Sequence, residues 1–411
     1  MNLSLFRNRN FTLIVFGKFV SIIGTQMQNF ALSLYVLAET GSAAKFSILL
    51  SFNFIPHILF GVIGGVVADN VSKKKILVIA DTLCGVLTLA FLSYTYFVTF
   101  SYLLACVLVF SLATINVFFS PAIDALIPIS VGKDYILPAN SINRCVLNIG
   151  KLVAPLLAGI FYPLVGLTIL LMIDGVSFLL SAFSELFIIP EKDQEHLTKF
   201  NIKEVYSGLI SGISYVWHNN AIKHLLSINF IFNFFLYPMF AIMVPFVLKV
   251  VMGVSAFQFG LSISIYTAGV ALGIMFMKKR NEKTFLLKKF SLGTIVLSII
   301  TFIIGVIFLS VGSIPMIVSY VLLVSSNFAF GYFIVYWALP SMSFYQLVTP
   351  KDKIGRVMGV ENMNEKLGCV LGQLTIGVLS DWLMPGIIVI FSAMILMTAS
   401  LVSYRIINRD T

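Results

Sequence analysis

A small set of ionisable and amide side chains lies inside stretches that are otherwise apolar, and their spacing sets what chemistry they can do. Glu361 and Glu365 stand four residues apart with Lys366 adjacent, so a helix puts both carboxylates on one face. Arg144, Asn148 and Lys151 are spaced i, i+4, i+7 and give a second helix a cationic face. Lys18, Ile22, Thr25 and Asn29 recur at helical spacing, with Gln26 beside them, and make a polar face on a third. Asp174 and Glu185 lie in the sixth predicted helix, about Leu167 to Ile189. An ionisable group in hydrocarbon costs about 2.5–3.5 kcal/mol on insertion scales, so these residues should border protein or a wet passage rather than lipid. Desolvation favours a neutral carboxyl and a nearby cation favours a charged one, so a carboxylate that alternates between the two settings takes up and releases a proton. Proton coupling is therefore expected of Glu361 or Glu365, with Asp174 in reserve; the alternative is a static salt bridge with the cationic face of Arg144 and Lys151. Lys18, Gln26, Asn29, Asn148, Lys151, Asn229, Asn233, Tyr237 and Tyr336 are the expected lining of a substrate cavity.

Other chemistries lack their parts. The histidines His57, His196, His218 and His224 are scattered, and a lone membrane histidine such as His57 is more often a hydrogen-bonded core residue than a proton carrier. The four cysteines sit in apolar segments with no C-x-x-C spacing. No G-x-x-x-x-G-K-[ST] loop is present to cradle ATP phosphates. The expectation is no metal, no cofactor and no enzymatic activity, with a proton gradient as the energy source.

The elements that position these residues follow from composition. Hydrophobic residues make up 59% of the 411 and charged ones 11%, against about 25% charged in soluble domains, and the mean hydropathy is +1.00. At about 20 residues per crossing, the chain has room for about twelve transmembrane helices and little else. The predicted fold is an all-α membrane protein of two pseudo-symmetric six-helix bundles, 1–190 and 221–411, joined by a cytoplasmic linker at 191–220. Within that linker Ile202, Val205, Leu209, Ile213 and Trp217 recur at helical spacing and predict an amphipathic helix on the membrane surface. The net charge of +10 is a matter of topology rather than nucleic acid: about 21 of the 27 Lys and Arg fall on the side of the N-terminus and about 2 on the other. Both termini are thereby expected in the cytoplasm of a multi-pass protein of the cell membrane, with a small-molecule substrate and lipids as its partners and a monomer as its state.

Two stretches carry a family resemblance. Between the second and third predicted helices, the first of these running about Ala44 to Val67, GGVVADNVSKKKIL combines Gly61, Gly64 and Gly65, which thin a helix end, with Asp69 and the triplet Lys73, Lys74 and Lys75. The triplet alone would serve as a positive-inside anchor. The whole resembles the G-x-x-x-D-(R/K)-x-G-R/K-R/K signature of the major facilitator superfamily at Gly65, Asp69, Lys73 and Lys74, and departs from it at Asn70 and Ser72. In the fifth predicted helix Gly150, Ala154, Pro155, Ala158 and Gly159 resemble the G-x-x-x-G-P-x-x-G-G run of that superfamily's antiporters, with close helix packing as the plainer reading. FFSPAIDALIP, PANSIN and LMIDGVSFLLSAF look like the branch of macrolide-efflux proteins, siderophore exporters and transmembrane secretion effectors.

The resemblance implies alternating access, with Asp69, Lys73, Lys74, Arg144, Gly150 and Pro155 as gating residues. It also implies efflux of amphipathic compounds such as macrolide-like drugs; the alternatives are a siderophore or lysolipid exporter and a non-transporting membrane sensor. Thr25 stands where many relatives carry an acid and Ile123 where many carry Arg, so a coupling acid and a gating contact are absent or relocated. An internal repeat agrees with the family: at an offset of about 218 residues, Lys133 and Asp134 fall on Lys351 and Asp352, Gly150 on Gly368 and Gly159 on Gly377, and at about 208, Gly61 and Gly65 fall on Gly269 and Gly273.

Overall fold

The computed structural model describes residues 3–131, 135–189, 202–277, 282–350 and 353–410. Among these the backbone is helical almost throughout, with no β-strand. Hydrocarbon offers no partner to a free N–H or C=O, and a helix satisfies both within one segment.

α1 (Arg9–Thr40) ends at Gly41, whose φ of 57° turns the chain into α2 (Ala43–Ser51). The second crossing is not the single helix that its apolar run predicts; it breaks at 52–54 and resumes as α3 (Ile55–Asn70). Pro56 is the cause, since it lacks an N–H and clashes with the preceding turn unless it sits in the first turn of a helix, where it is found. α4 (Lys73–Phe97) and α5 (Tyr102–Ser130) follow. α6 (Ile136–Leu186) contains two crossings that turn at Gly166, at φ 70°, which agrees with a sixth helix starting at Leu167.

α7 (Ile202–His218) is the predicted amphipathic helix. Ile210, Ile213 and Trp217 are exposed on it, while the side chains at 202–209 and all of 191–201 lie outside the described residues. α8 (Asn220–Pro238) continues through α9 (Val244–Phe246) by two π-helical stretches, Met239–Met243 and Val247–Val251, next to Pro238 and Pro245, which lack N–H donors. α10 (Ala256–Phe276), α11 (Lys283–Ser310), α12 (Met316–Val348), α13 (Ile354–Ser380) and α14 (Pro385–Asp410) complete the chain.

Ten described stretches are long and apolar enough to cross a membrane. One of them, Pro138–Leu186, holds both crossings of α6, and α13 has the length but carries Arg356, Glu361, Glu365 and Lys366. This accounts for twelve crossings in an all-α, multi-pass membrane protein.

The chain forms two compact units. The first comprises Met1–Val36, Phe52–Asn201 and Ala256–Leu261, the second Leu37–Ser51, Ile202–Ser255 and Ser262–Thr411. Two short segments are thus exchanged relative to the order of the sequence. In the first unit, small residues bring helices together: a Cβ on Gly24 would meet Ser177 and Asp174, and Gly85 and Gly175 face each other where α4 packs on α6. In the second, Ser51 Oγ donates to Gln373 Oε1 (3.2 Å) and Ser42 Oγ to Asp381 Oδ2 (2.9 Å), which fixes α2 on α13.

The repeat around α6 and α13 reappears in these contacts. Gly150 packs on Ile22 of α1 and its counterpart Gly368 on Asn233 of α8; Gly159 packs on Ala256 of α10 and its counterpart Gly377 on Ser47 of α2. The second match does not reappear, since Gly269 and Gly273 press on α12 while Gly61 and Gly65 face open space. Of the three glycines expected to admit a neighbour in α3, only Gly64 has one, at Val117 of α5. Lys133, Asp134, Lys351 and Asp352 lie outside the described residues.

Candidate functional site

The first unit contains a cavity of about 390 Å³, within the range of about 300–1,000 Å³ usual for small-molecule sites. Its walls are polar stripes that helical periodicity builds. α1 supplies Lys18, Ser21, Thr25, Gln26 and Asn29; α5 supplies Asn116, Ser120 and Asp124 at i, i+4, i+8; α6 supplies Arg144 and Lys151. Asp81 of α4, with Asn53 in the α2–α3 break and His57 just after it, completes the polar lining. His57 Nδ1 lies 3.2 Å from the carbonyl of Asn53, a local bond that fits the plainer reading of this histidine. Of the expected cavity residues, Lys18, Gln26, Asn29 and Lys151 meet here, and Arg144, expected in the gate, joins them. Asn148 is exposed on α6 and does not line the cavity.

Lys18 is only 9% exposed. Its charged neighbours are Asp124 and Arg144, of opposite sign, and it makes no ion pair or hydrogen bond with a described residue.

Asp81 in the cavity wall and two carboxylates outside the lining, Asp174 and Glu185, are all buried. Thr25 Oγ1 donates to Asp174 Oδ1 at 3.3 Å, so Thr25 is backed by an acid from α6. Asp81 is a charged neighbour of both Asp174 and Glu185, and one oxygen of each of the three has no hydrogen-bond partner among the described residues. Such groups are costly to bury in hydrocarbon and are held where a function uses them.

The second unit spends its polar residues differently. Asn229 Nδ2 donates to Tyr345 Oη (2.9 Å), Trp337 Nε1 donates to Asn229 Oδ1 (3.0 Å) and Asn233 Nδ2 donates to the carbonyl of Asn229 (2.9 Å). Both asparagines are buried: Asn229 ties α8 to α12, while Asn233 bonds within α8 and accepts from Cys369 Sγ of α13 (3.8 Å), so their hydrogen-bonding capacity is used within the protein. Tyr237 is 38% exposed on α8, and Tyr336 lies with its hydroxyl 3.3 Å from that of Tyr332 and its ring under the Lys289 ammonium at 5.4 Å. Glu365 is paired with Lys366 at 2.8 Å, and half-buried Glu361 has both of them as charged neighbours.

Among the gating candidates, Lys74 Nζ donates to the carbonyls of Leu186 and Ile188, both at 2.7 Å, and so caps the end of α6 where the helix leaves acceptors unpaired. Lys73, its neighbour at the start of α4, is half-buried. The Asp69 side chain lies outside the described residues. Gly150 admits Ile22, and the Pro155 carbonyl lies against Gly260.

Sequence reasoning did not single out Asp81, Asp124, Glu185, Ser21 or Asn116 as site residues. The spacing of Asn116, Ser120 and Asp124 was a readable signal, and so was that of Asp174, Ser177, Ser181 and Glu185 on α6; Asp81 gave none, because it is the single acid of α4. Among the described residues no group of three or more His, Cys, Asp or Glu side chains is arranged to hold a metal ion.

This geometry can be set beside known proteins. Among solved structures, a mutant form of the nucleoside transporter NupG superposes with a TM-score of 0.75 at 15% identity, covering 97% of this chain and all of that one. A bacterial homologue of the iron transporter ferroportin, in an inward-facing state, gives 0.69 at 15% identity over 98% of each chain. Among curated proteins, the uncharacterized MFS-type transporter YkuC of Bacillus subtilis is 26% identical over 283 residues, 66% of this chain and 64% of that protein. Macrolide efflux protein A of Streptococcus pyogenes is 21% identical over 47% of this chain and 48% of its own length, and the multidrug efflux pump Tap of Mycolicibacterium fortuitum 23% identical over 57% and 58%. The chain thus spans between about half and two thirds of the length of the curated relatives it matches. The family model described as Major Facilitator Superfamily matches residues 14–373, and the chain belongs to that superfamily of membrane transporters.

Proposed function

We propose that this transporter exports amphipathic small molecules in exchange for protons, by alternating access of a cavity lined by Lys18, Arg144 and Lys151. The supporting observation is the juxtaposition in the first unit of a cavity with an unpaired buried lysine and, one side chain behind it, the Thr25–Asp174 contact. A cavity that holds a solute beside a carboxylate with an unsatisfied oxygen has the two parts that coupling needs: a place for cargo and a group that binds a proton. Asp174 is thereby the leading coupling acid; Glu361 and Glu365 remain the candidates of the second unit. Efflux is supported by two relatives, a macrolide efflux protein and a multidrug efflux pump.

The test is accumulation of a drug and dye panel in inside-out vesicles energised by a proton gradient. Gradient-dependent uptake that collapses with an uncoupler is the expected result. Uptake indifferent to the gradient removes the coupling, and no uptake of any compound against empty-vector vesicles removes drug export. A second reading, export of a native metabolite such as a siderophore or lysolipid, is favoured by the cationic character of the cavity.

A further inference from the structure

We propose that the cavity of the first unit seats the anionic headgroup of an amphipathic cargo, a carboxylate, sulfonate or phosphate, on the Lys18 ammonium with Arg144 and Lys151 beside it. The inference rests on the export reading and names the class of its substrate.

Lys18 carries the argument. It is buried to all but 9%, faces the cavity and has no hydrogen bond or ion pair among the described residues. A buried ammonium without a counter-charge is expensive, and its counter-charge must come from what enters. The protein itself offers little. Asp124 is its acidic neighbour but forms no ion pair with it, and Arg144 adds charge of the same sign. Asp81 also lines the cavity, yet it is 2% exposed and lies in the wall. Three cations therefore face one accessible acid. Ser21 lines the same wall, and its buried hydroxyl has no hydrogen-bond partner among the described residues.

The apolar half of such a cargo is also provided for, since Leu112, Phe119, Leu147 and Phe178 line the remaining wall. A cationic amphiphile of the same size meets like charges in a confined, poorly screened space. The aromatic pair Tyr332 and Tyr336 belongs to the second unit, where the Lys289 ammonium already lies over the Tyr336 ring.

Equilibrium binding to the purified full-length protein in zwitterionic-lipid nanodiscs, with no gradient, tests the inference. The probes are a naphthalene sulfonate, lysophosphatidate and a naphthyl trimethylammonium. At least one anion is expected to bind saturably, and Lys18→Gln to weaken it at least tenfold while Lys18→Arg restores most of the affinity. Whether the sulfonate or the lysophosphatidate binds tighter tells a soluble acid from a lipid headgroup. The proposal is overturned if neither anion saturates, if the trimethylammonium binds as tightly, or if Lys18→Gln binds the anions unchanged. Should Lys18→Gln fail to fold, Arg144→Gln and Lys151→Gln carry the test, each expected to weaken anion binding about threefold, with unchanged binding in both overturning it. Because the assay needs no proton gradient, intact anion binding with no gradient-driven export counts against the export reading alone.

Discussion

Replacing Asn229 by leucine separates a structural asparagine from a substrate-binding one. In the second unit Asn229 is 3% exposed and bonds two side chains of α12, Tyr345 (0% exposed, 2.9 Å) and Trp337 (9% exposed, 3.0 Å). Leucine keeps the volume and removes both bonds, which leaves a buried hydroxyl and a buried indole N–H unpaired. In water-soluble proteins each orphaned group would cost about 1–3 kcal/mol. In a membrane the measured average is nearer 0.6 kcal/mol and the maximum about 1.7. Two groups in a fully buried site give about 2 kcal/mol, and at about 2–4 °C per kcal/mol for a unit of a few hundred residues the thermal midpoint should fall by about 4–8 °C. The decisive arm is the cycle with Tyr345→Phe. Tyr345→Phe alone orphans the Asn229 amide, and the double variant leaves only the Trp337 indole unpaired, so it should be more stable than the summed singles by about 2 kcal/mol. Thermal unfolding of the purified protein, read by intrinsic fluorescence, measures all four species. Strict additivity, or loss of transport in Asn229→Leu with an unchanged midpoint, would falsify the assignment and return Asn229 to the cargo.

Three further outcomes follow from the geometry. Asp174→Asn keeps an acceptor for Thr25 but cannot ionise, so gradient-driven export should be lost while equilibrium cargo binding persists; export that still follows the proton gradient moves coupling to Glu361 or Glu365. Gly64→Ala drives a methyl into Val117 of α5 and should cost about 1–3 kcal/mol by overpacking, whereas Gly65→Ala meets nothing and should leave stability unchanged or raise it by up to about 1 kcal/mol. A transport defect in Gly65→Ala at full stability would mark that glycine as a moving part. Lys74→Met removes both bonds to the carbonyls of Leu186 and Ile188, and hydrogen exchange should speed up in the last turn of α6 by roughly fivefold, equivalent to about 1 kcal/mol of lost capping; protection equal to wild type there shows that the cap contributes nothing.

Residue order alone makes this a membrane protein of about twelve helices, because apolar runs of sufficient length have no other stable solvent. It also determined which residues share a face, since a period of 3.6 residues places Lys18 with Thr25 and Arg144 with Lys151 whatever the neighbours are. Part of the repeat was legible, as the glycines at 150 and 368 do pack on the first helix of their own half, while the match of Gly61 and Gly65 with Gly269 and Gly273 did not reappear. What the period leaves open is the direction in which a face points, and that is set by contacts between residues far apart in the chain. Thr25 meets Asp174 across 149 positions, and Asn229 meets Tyr345 across 116. Two asparagines on one helical face thus looked the same in sequence as Lys18 and Asn29, yet contacts of α8 with α12 and α13 consumed them while packing of α1, α5 and α6 left Lys18 bordering open space. Polarity in an apolar helix announces that a partner is required; only the tertiary arrangement decides whether that partner is the protein or the cargo.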